Sequence, residues 1–235
     1  MKIIAVIPAR GGSKRIPKKN IIDFMGKPMI AWTIEAAIKS TLFDKVIVST
    51  DDNEIAEVSR SFGCDVPFLR DSSADDMTPV SLATIRAVEQ AENHYNEKYD
   101  IVVQLMANTP LRNSLDIKAH LTSFISKKNK FQISSFKFGW MNPWWSFNPL
   151  KNGKHEWMLP DGVSKRSQDL PNLYCPTGAI WIANKKLLLK EKTFYGNGYN
   201  FHEIDWKSAA DIDDYQDLDF TKAIYYLINN KFENV

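Results

Sequence analysis

Two clusters of charge in this 235-residue chain have the residue types and spacing to do chemistry. The first is Ile7-Pro8-Ala9-Arg10-Gly11-Gly12-Ser13-Lys14-Arg15-Ile16-Pro17-Lys18-Lys19-Asn20, where Arg10, Lys14, Arg15, Lys18 and Lys19 share a loop with two glycines. A glycine has no Cβ, so its backbone N–H can approach a ligand closely, and concave runs of such donors hold anions. The combination fits a polyanion such as a triphosphate, with a solvated basic loop as the plain alternative. It has neither the Gly-x4-Gly-Lys-Ser/Thr nor the Gly-x-Gly-x-x-Gly spacing.

The second cluster is Asp211-Ile212-Asp213. In an extended segment, alternation puts both carboxylates on one side. Such a pair suits Mg²⁺, which completes its shell with phosphate oxygens and water. Asp213 has a competing use, because with Gln216 three residues on it makes a capping box for a following helix. A cap does not explain Asp211, and that tilts the pair toward metal. Basic loop and carboxylate pair together imply phosphoryl or nucleotidyl transfer, where positioning and charge neutralisation do most of the catalysis. His94, His120, His155 and His202 lack metal-ligand spacing, and no Ser–His–Asp or Cys–His arrangement is visible.

These residues need elements to position them. The apolar run over residues 3–7 predicts a buried parallel strand feeding the basic loop. A helix follows from about Met29, with Ile30, Ile34, Ala37 and Ile38 on one face. Further strands are expected over residues 46–50, 100–105, 133–138 and 177–183. Further helices are expected over about 53–62, 80–95, from Ser114 (a plausible cap), and after Asp213, with Leu218, Ile224, Leu227 and Ile228 roughly on one side. Strand and helix alternating at this spacing predict an α/β fold with a parallel sheet. Residues 139–160 break the pattern: Trp140, Trp144, Trp145 and Trp157 are too many aromatics for an exposed loop of a monomer. They either pack locally or meet a partner subunit, and the pattern does not choose between the two.

Composition narrows the function class. With 44% hydrophobic residues the chain can bury a full core as one domain over residues 1–235. Lys and Arg number 30 against 28 Asp and Glu, so no global field points to nucleic acid or a membrane surface. Cys64 and Cys175 lie far apart and indicate neither a zinc site nor a disulfide framework. No signal-like segment opens the chain and no apolar run approaches a bilayer span, so a cytoplasmic protein is expected.

The loop motif through Lys19-Asn20, with Gly26-Lys27-Pro28, Val48-Ser49-Thr50-Asp51, Thr109-Pro110-Leu111-Arg112, Gly178-Ala179-Ile180 and Asp211-Ile212-Asp213, resembles the acylneuraminate cytidylyltransferases over nearly the whole chain. These are the CMP-sialic acid synthetases and their relatives acting on legionaminic and pseudaminic acids. The resemblance implies a Rossmann-like nucleotidyltransferase fold (the nucleotide-diphospho-sugar transferase type), with a mostly parallel central sheet. It also implies a small dimer-forming excursion at about residues 138–160, hence a homodimer. The implied reaction joins CTP to a nonulosonic acid with Mg²⁺, or Mn²⁺ in its place, and releases pyrophosphate. By the same resemblance Ala9, Arg10, Gly11, Gly12, Ser13, Lys14, Lys19 and Asn20 hold the nucleotide, and Arg70 and Asp76 lie near the cytidine. Arg10, Lys14, Lys19 and Asp211 are implied to be catalytic, and Lys19 to neutralise the α-phosphate. Asp211 and Asp213 hold the metal, while Met106, Arg112, Gln168 and Cys175 fall at the sugar pocket.

The chain departs from the sialic acid enzymes at that pocket. Met106 replaces a sugar-facing glutamine, Cys175 an arginine and Thr177 an asparagine. Replacing hydrogen-bonding groups by apolar ones alters which sugar is accepted, and Met106 suits a deoxy or acylamino chain. The expectation is therefore a legionaminic-type sugar over N-acetylneuraminate. Two other readings stand beside it: a glycosyltransferase using nucleotide sugars, and a non-catalytic nucleotide-binding module.

Overall fold

In the computed structural model, residues 1–70, 79–139 and 141–229 are described. The described elements run β1 (Ile3–Pro8), β2 (Asp23–Phe24), β3 (Lys27–Pro28), α1 (Met29–Ser40), β4 (Lys45–Ser49), α2 (Asn53–Ser61), α3 (Val80–Tyr95) and β5 (Ile101–Gln104). They continue through α4 (Ser114–Ser126), β6 (Phe131–Lys137), β7 (Phe147–Pro149), β8 (His155–Trp157), β9 (Tyr174–Asn184), α5 (Lys185–Glu191), β10 (Tyr199–Glu203) and α6 (Tyr215–Asn229).

Among these, a six-stranded sheet has the order β10-β6-β9-β5-β1-β4. The pairs β1–β4, β1–β5 and β10–β6 are parallel, and β9 runs antiparallel to both its neighbours. The sheet is thus mostly parallel, as the alternating sequence pattern predicts. Every residue of β1 is buried because helices cover both faces. Strand alternation splits it: Ile3, Ala5 and Ile7 pack with Ile30 and Ile34 of α1 and with Ile117 and Leu121 of α4. Ile4 and Val6 pack on the other face with Val88 and Ala91 of α3 and Leu188 of α5.

Two expectations about helix ends change. Ser114 does not cap α4: Asn113 accepts from the Leu115 and Asp116 amides, and the Asp116 carboxylate accepts from the Asn113 N–H. In α6, Leu218 and Ile224 are buried but Leu227 and Ile228 are exposed. The apolar stripe therefore meets the core only in the helix's first turns.

Residues 138–173 leave the sheet between β6 and β9 and return to it, with Phe138 N–H donating to Leu173 O at 3.0 Å. Within them β7 and β8 form a small antiparallel hairpin. Trp144, Trp145 and Trp157 lie here, and Trp140 falls outside the described residues.

Candidate active site

β1, β4 and β5 end at the same edge of the sheet, and the basic loop leaves from the first of them. Ile16 fastens that loop: it is 1% exposed and packs with Phe24, Met29, Ile212 and Leu218. Ile212, the residue between the two aspartates, is fully buried in the same cluster. Burying a side chain of this size stabilises by about 1.5–3 kcal/mol, so one apolar cluster seats both charged segments. Asn108, in the loop after β5, clamps the second segment further. Its backbone O accepts from Ile212 N–H at 2.9 Å, and its Nδ2 donates to Ile212 O at 3.1 Å.

The result is direct contact between the clusters. Lys19 Nζ donates to Asp213 Oδ1 at 2.9 Å and to Ile212 O at 3.0 Å. Arg15 Nη2 reaches Asp213 Oδ2 at 2.6 Å. Desolvation pulls the other way, but Lys19 and Arg15 hold the Asp213 carboxyl below the usual range. Asp211 behaves oppositely. It is exposed and is not part of the wall of the cavity between these segments, yet desolvation and then the charge of Asp213 push its carboxyl up to about 6.

The capping question is also resolved by geometry. Asp214, not Asp213, caps α6: its Oδ1 accepts from Gln216 N–H at 2.9 Å and Asp217 N–H at 3.0 Å. Asp217 in turn accepts from the Asp213 and Asp214 amides. The Asp213 carboxylate is thereby left to the cleft.

A cavity of about 510 Å³ lies between these segments, lined on one side by Arg10, Ser13, Lys14, Lys19 and Asn20. Arg70, Met106, Ala107, Asn108 and Asp213 contribute the other walls. The Asn108 Nδ2 faces acceptors, so its Oδ1 points elsewhere, and that buried oxygen has no hydrogen-bond partner. Among the described residues no group of three or more His, Cys, Asp or Glu is arranged for a metal. The donor set is narrower: the Asp213 carboxylate beside the unsatisfied Asn108 amide oxygen, with the Asp211 carboxyl, raised by desolvation and then by Asp213, two residues away. This fits a hard divalent ion held by one or two carboxylates and completed by phosphate and water.

Other sequence expectations land differently. Asn20 turns inward, and its Nδ2 donates to Arg10 O at 2.9 Å. The Gly11 N–H donates to Asp51 Oδ1 at 2.9 Å, so this amide is spent within the protein and not offered to a ligand. Met106 does line the cavity, with its Cγ only 2.9 Å from where a Cβ on Gly178 would stand.

Arg112 does not line this cavity. It is 1% exposed, and its Nη2 donates to Thr33 Oγ1 at 2.7 Å and Met106 O at 3.4 Å. Thr33 and Thr109 hydroxyls donate to the same Met106 carbonyl. Arg112 therefore braces the Met106 loop from beneath, and burial lowers its guanidinium to about 10. Gln168, exposed in the excursion, and Cys175, at the outer end of β9, are likewise absent from the cavity wall. Asp76 lies outside the described residues. Arg15 was one cation among five in the sequence, and Asn108 one residue of a loop; only their distances to Asp213 single them out.

A family model described as "Cytidylyltransferase" matches residues 4–142, the half that carries the basic loop, Arg70 and Asn108. The chain belongs to the cytidylyltransferase family. The family match makes it a nucleotidyltransferase and leaves the glycosyltransferase reading behind. A pseudaminic acid cytidylyltransferase of Campylobacter jejuni is 37% identical over 226 residues, 96% of this chain and 97% of its own length. A CMP-N,N'-diacetyllegionaminic acid synthase of Legionella pneumophila is 32% identical, covering 83% of each chain. An N-acylneuraminate cytidylyltransferase of Escherichia coli is 33% identical over 95% of this chain but only 52% of its own. Among solved structures, a CMP:2-keto-3-deoxy-manno-octonic acid synthetase complexed with CTP superposes with a TM-score of 0.73. At 17% identity over 97% of this chain and all of the other, it shares the fold.

Proposed function

We propose that this chain transfers CMP from CTP to the anomeric C2 hydroxyl of a nonulosonic acid and releases pyrophosphate. The observation that carries the reading is the meeting of Lys19 with Asp213 on the wall of one cavity. A cation suited to phosphate and a carboxylate suited to a divalent ion are held at one point.

In this reading Arg10, Ser13, Lys14 and Lys19 hold the triphosphate, and Arg10, Lys14 and Lys19 stabilise the departing pyrophosphate. Electrostatic groups fixed before the reaction do this best, because they need no reorganisation when charge develops. Asp211 and Asp213 hold Mg²⁺, or Mn²⁺, which when bound neutralises phosphate charge. Asn20 orients the loop through Arg10 O, and Arg70 stands on the opposite wall toward the base.

For the acceptor, Met106 on the cavity wall favours an apolar or acylamino substituent over a hydroxyl. Relatives named for pseudaminic and legionaminic acids support the same class, and the 37% relative is named for pseudaminic acid. We therefore place pseudaminic-type acids first and legionaminic-type acids second. Pyrophosphate release from CTP, UTP, ATP and GTP with pseudaminic, legionaminic, N-acetylneuraminic and octulosonic acids tests this. Release confined to CTP with one of the first two sugars is the expected result. Release with N-acetylneuraminate alone overturns the acceptor reading, and no release with any pair leaves the binding module.

The chain also acts as a homodimer in this reading, assembled through residues 138–173. Phe147 and Trp157 stack edge to face at 5.7 Å, so local packing explains part of the aromatic content. Phe147, Leu150, Met158 and Val163 of this segment nonetheless remain exposed, a composition suited to an interface core. Sedimentation of the intact chain should give twice the monomer mass, and a monomer at micromolar concentration overturns it. Among the described residues no helix is long and apolar enough to cross a membrane.

A further inference from the structure

The turn after β4 has no assigned part in the reaction, yet it is fastened on every side. Thr50 Oγ1 accepts from Asp52 N–H at 3.1 Å, and Asp52 Oδ1 caps α2 through Ile55 N–H at 3.0 Å. Arg70 N–H donates to Thr50 O at 2.7 Å, and Ala9 N–H to Ser49 O at 2.9 Å. Two segments of the cavity wall, the start of the basic loop and the extended segment carrying Arg70, are therefore tied to this one turn.

Asp51 sits between them. Its Oδ1 accepts from Gly11 N–H at 2.9 Å and lies 3.9 Å from Arg70 Nη2. Its neighbour Asp52 removes the slack on the same side, because a Cβ on Gly11 would meet Asp52 Oδ2 at 2.6 Å. Gly11 is thus pressed against one carboxylate and hydrogen-bonded to the next. The Arg70 side chain is only 11% exposed, and its Nε has no hydrogen-bond partner. Desolvation and the charge of Arg10 both oppose its cationic form, and among the described residues Asp51 is the carboxylate that favours it.

We propose that Asp51 is a positioning residue for the nucleotide, setting the Gly11 turn and the Arg70 guanidinium at a fixed separation across the cleft. The inference rests on the reading of the cleft as a CTP site. Asp51 is an anion beside a polyanion site, so neutralising it would tighten CTP if charge alone mattered. A positioning role has the opposite sign.

The test is a pair of variants, Asp51→Asn and Asp51→Ala, assayed for kcat, KM for CTP and hydrogen exchange at the Gly11 amide. Asn keeps an oxygen for the Gly11 N–H and loses the charge facing Arg70; Ala loses both. Asp51→Ala should raise KM for CTP by about tenfold, the size of a lost hydrogen bond to a charged group, with kcat changed much less. Asp51→Asn should raise KM by about threefold and keep Gly11 protected from exchange, whereas Ala exposes it. A lower or unchanged KM in both variants overturns the proposal. So does a loss of thermal stability with unchanged KM. If Asp51→Ala does not fold, the KM of Asp51→Asn decides alone. Wild-type protein that binds no CTP removes the function reading and this inference together; wild-type binding with unaltered variants removes only this one.

Discussion

Arg15 and Asp213 are 198 residues apart in sequence and 2.6 Å apart in space. With Lys19 on the other carboxylate oxygen, a single aspartate is neutralised by two cations of the loop. The groups that the proposed reaction needs for phosphate and for metal are therefore each other's partners in the free protein. On the proposed reading, nucleotide and divalent ion arriving together would exchange these partners rather than meet bare charges.

Arg15→Gln tests that exchange. Removing one counter-charge from Asp213 should tighten Mn²⁺ binding in the absence of nucleotide by about threefold, read by titration of the free ion's EPR signal. KM for CTP should rise by a similar factor. Stability should hardly move, because Arg15 is 62% exposed and pairs of this kind contribute about 0–1 kcal/mol. Unchanged Mn²⁺ affinity would show that Arg15 does not compete for Asp213.

Asp213 and Asp214 separate chemistry from folding. Asp214→Ala removes the cap of α6 and should cost about 1 kcal/mol, seen as a lower melting temperature with near-normal kcat in the folded enzyme. Asp213→Ala should lower turnover by orders of magnitude and leave the melting temperature nearly unchanged. The reverse assignment of effects would return Asp213 to the capping role.

Met106→Gln offers a hydrogen-bonding group where the cavity wall is now apolar. The kcat/KM ratio for N-acetylneuraminate over the preferred acceptor should rise by about tenfold, the scale of one polar contact in a pocket. Measuring both acceptors on the same preparation controls for loss of active protein. An unaltered ratio would place the sugar away from this side chain.

His120 carries a pH signature. It is fully buried against His202, with ring centroids 4.5 Å apart and neither of its own nitrogens hydrogen-bonded. Burial first, and then His202, lowers its pKa to about 3. The unfolded state therefore binds more protons than the folded state between about pH 6.5 and pH 3. Stability should fall as pH drops through that window, and His120→Leu should flatten the slope in urea titrations at pH 7 and pH 5. An equal slope in the variant would assign the acid sensitivity elsewhere.

How much of this was legible in the sequence differs by element. The runs that became β1, β4 and β5 are short, apolar and bounded by breakers, so burial on both faces fixed their reading. β10 was missed because Tyr199–Glu203 is a short, exposed edge strand, whose alternation of Tyr199 and Phe201 with polar residues spans only one aromatic pair. Nor does an apolar run state its direction, so β9 reads as another strand and not as the one that reverses the sheet. At the site, residue types gave the loop and the carboxylates, because charge and glycine carry their meaning locally. They did not give the pairing of Arg15 with Asp213, the burial of Arg112 or the shift of the cap to Asp214. Each of those depends on which side chain the packing turns inward.

The excursion of residues 138–173 begins and ends on neighbouring strands whose pairing extends to Lys137 and Tyr174. A segment inserted at the tip of such a hairpin can lengthen, shorten or change its surface without shifting the register behind it. The proposed association between subunits and the chemistry in the cleft could therefore diverge on separate evolutionary schedules. A lineage could rebuild its quaternary contacts while Ile16, Asn108 and Ile212 keep the charged segments where they are.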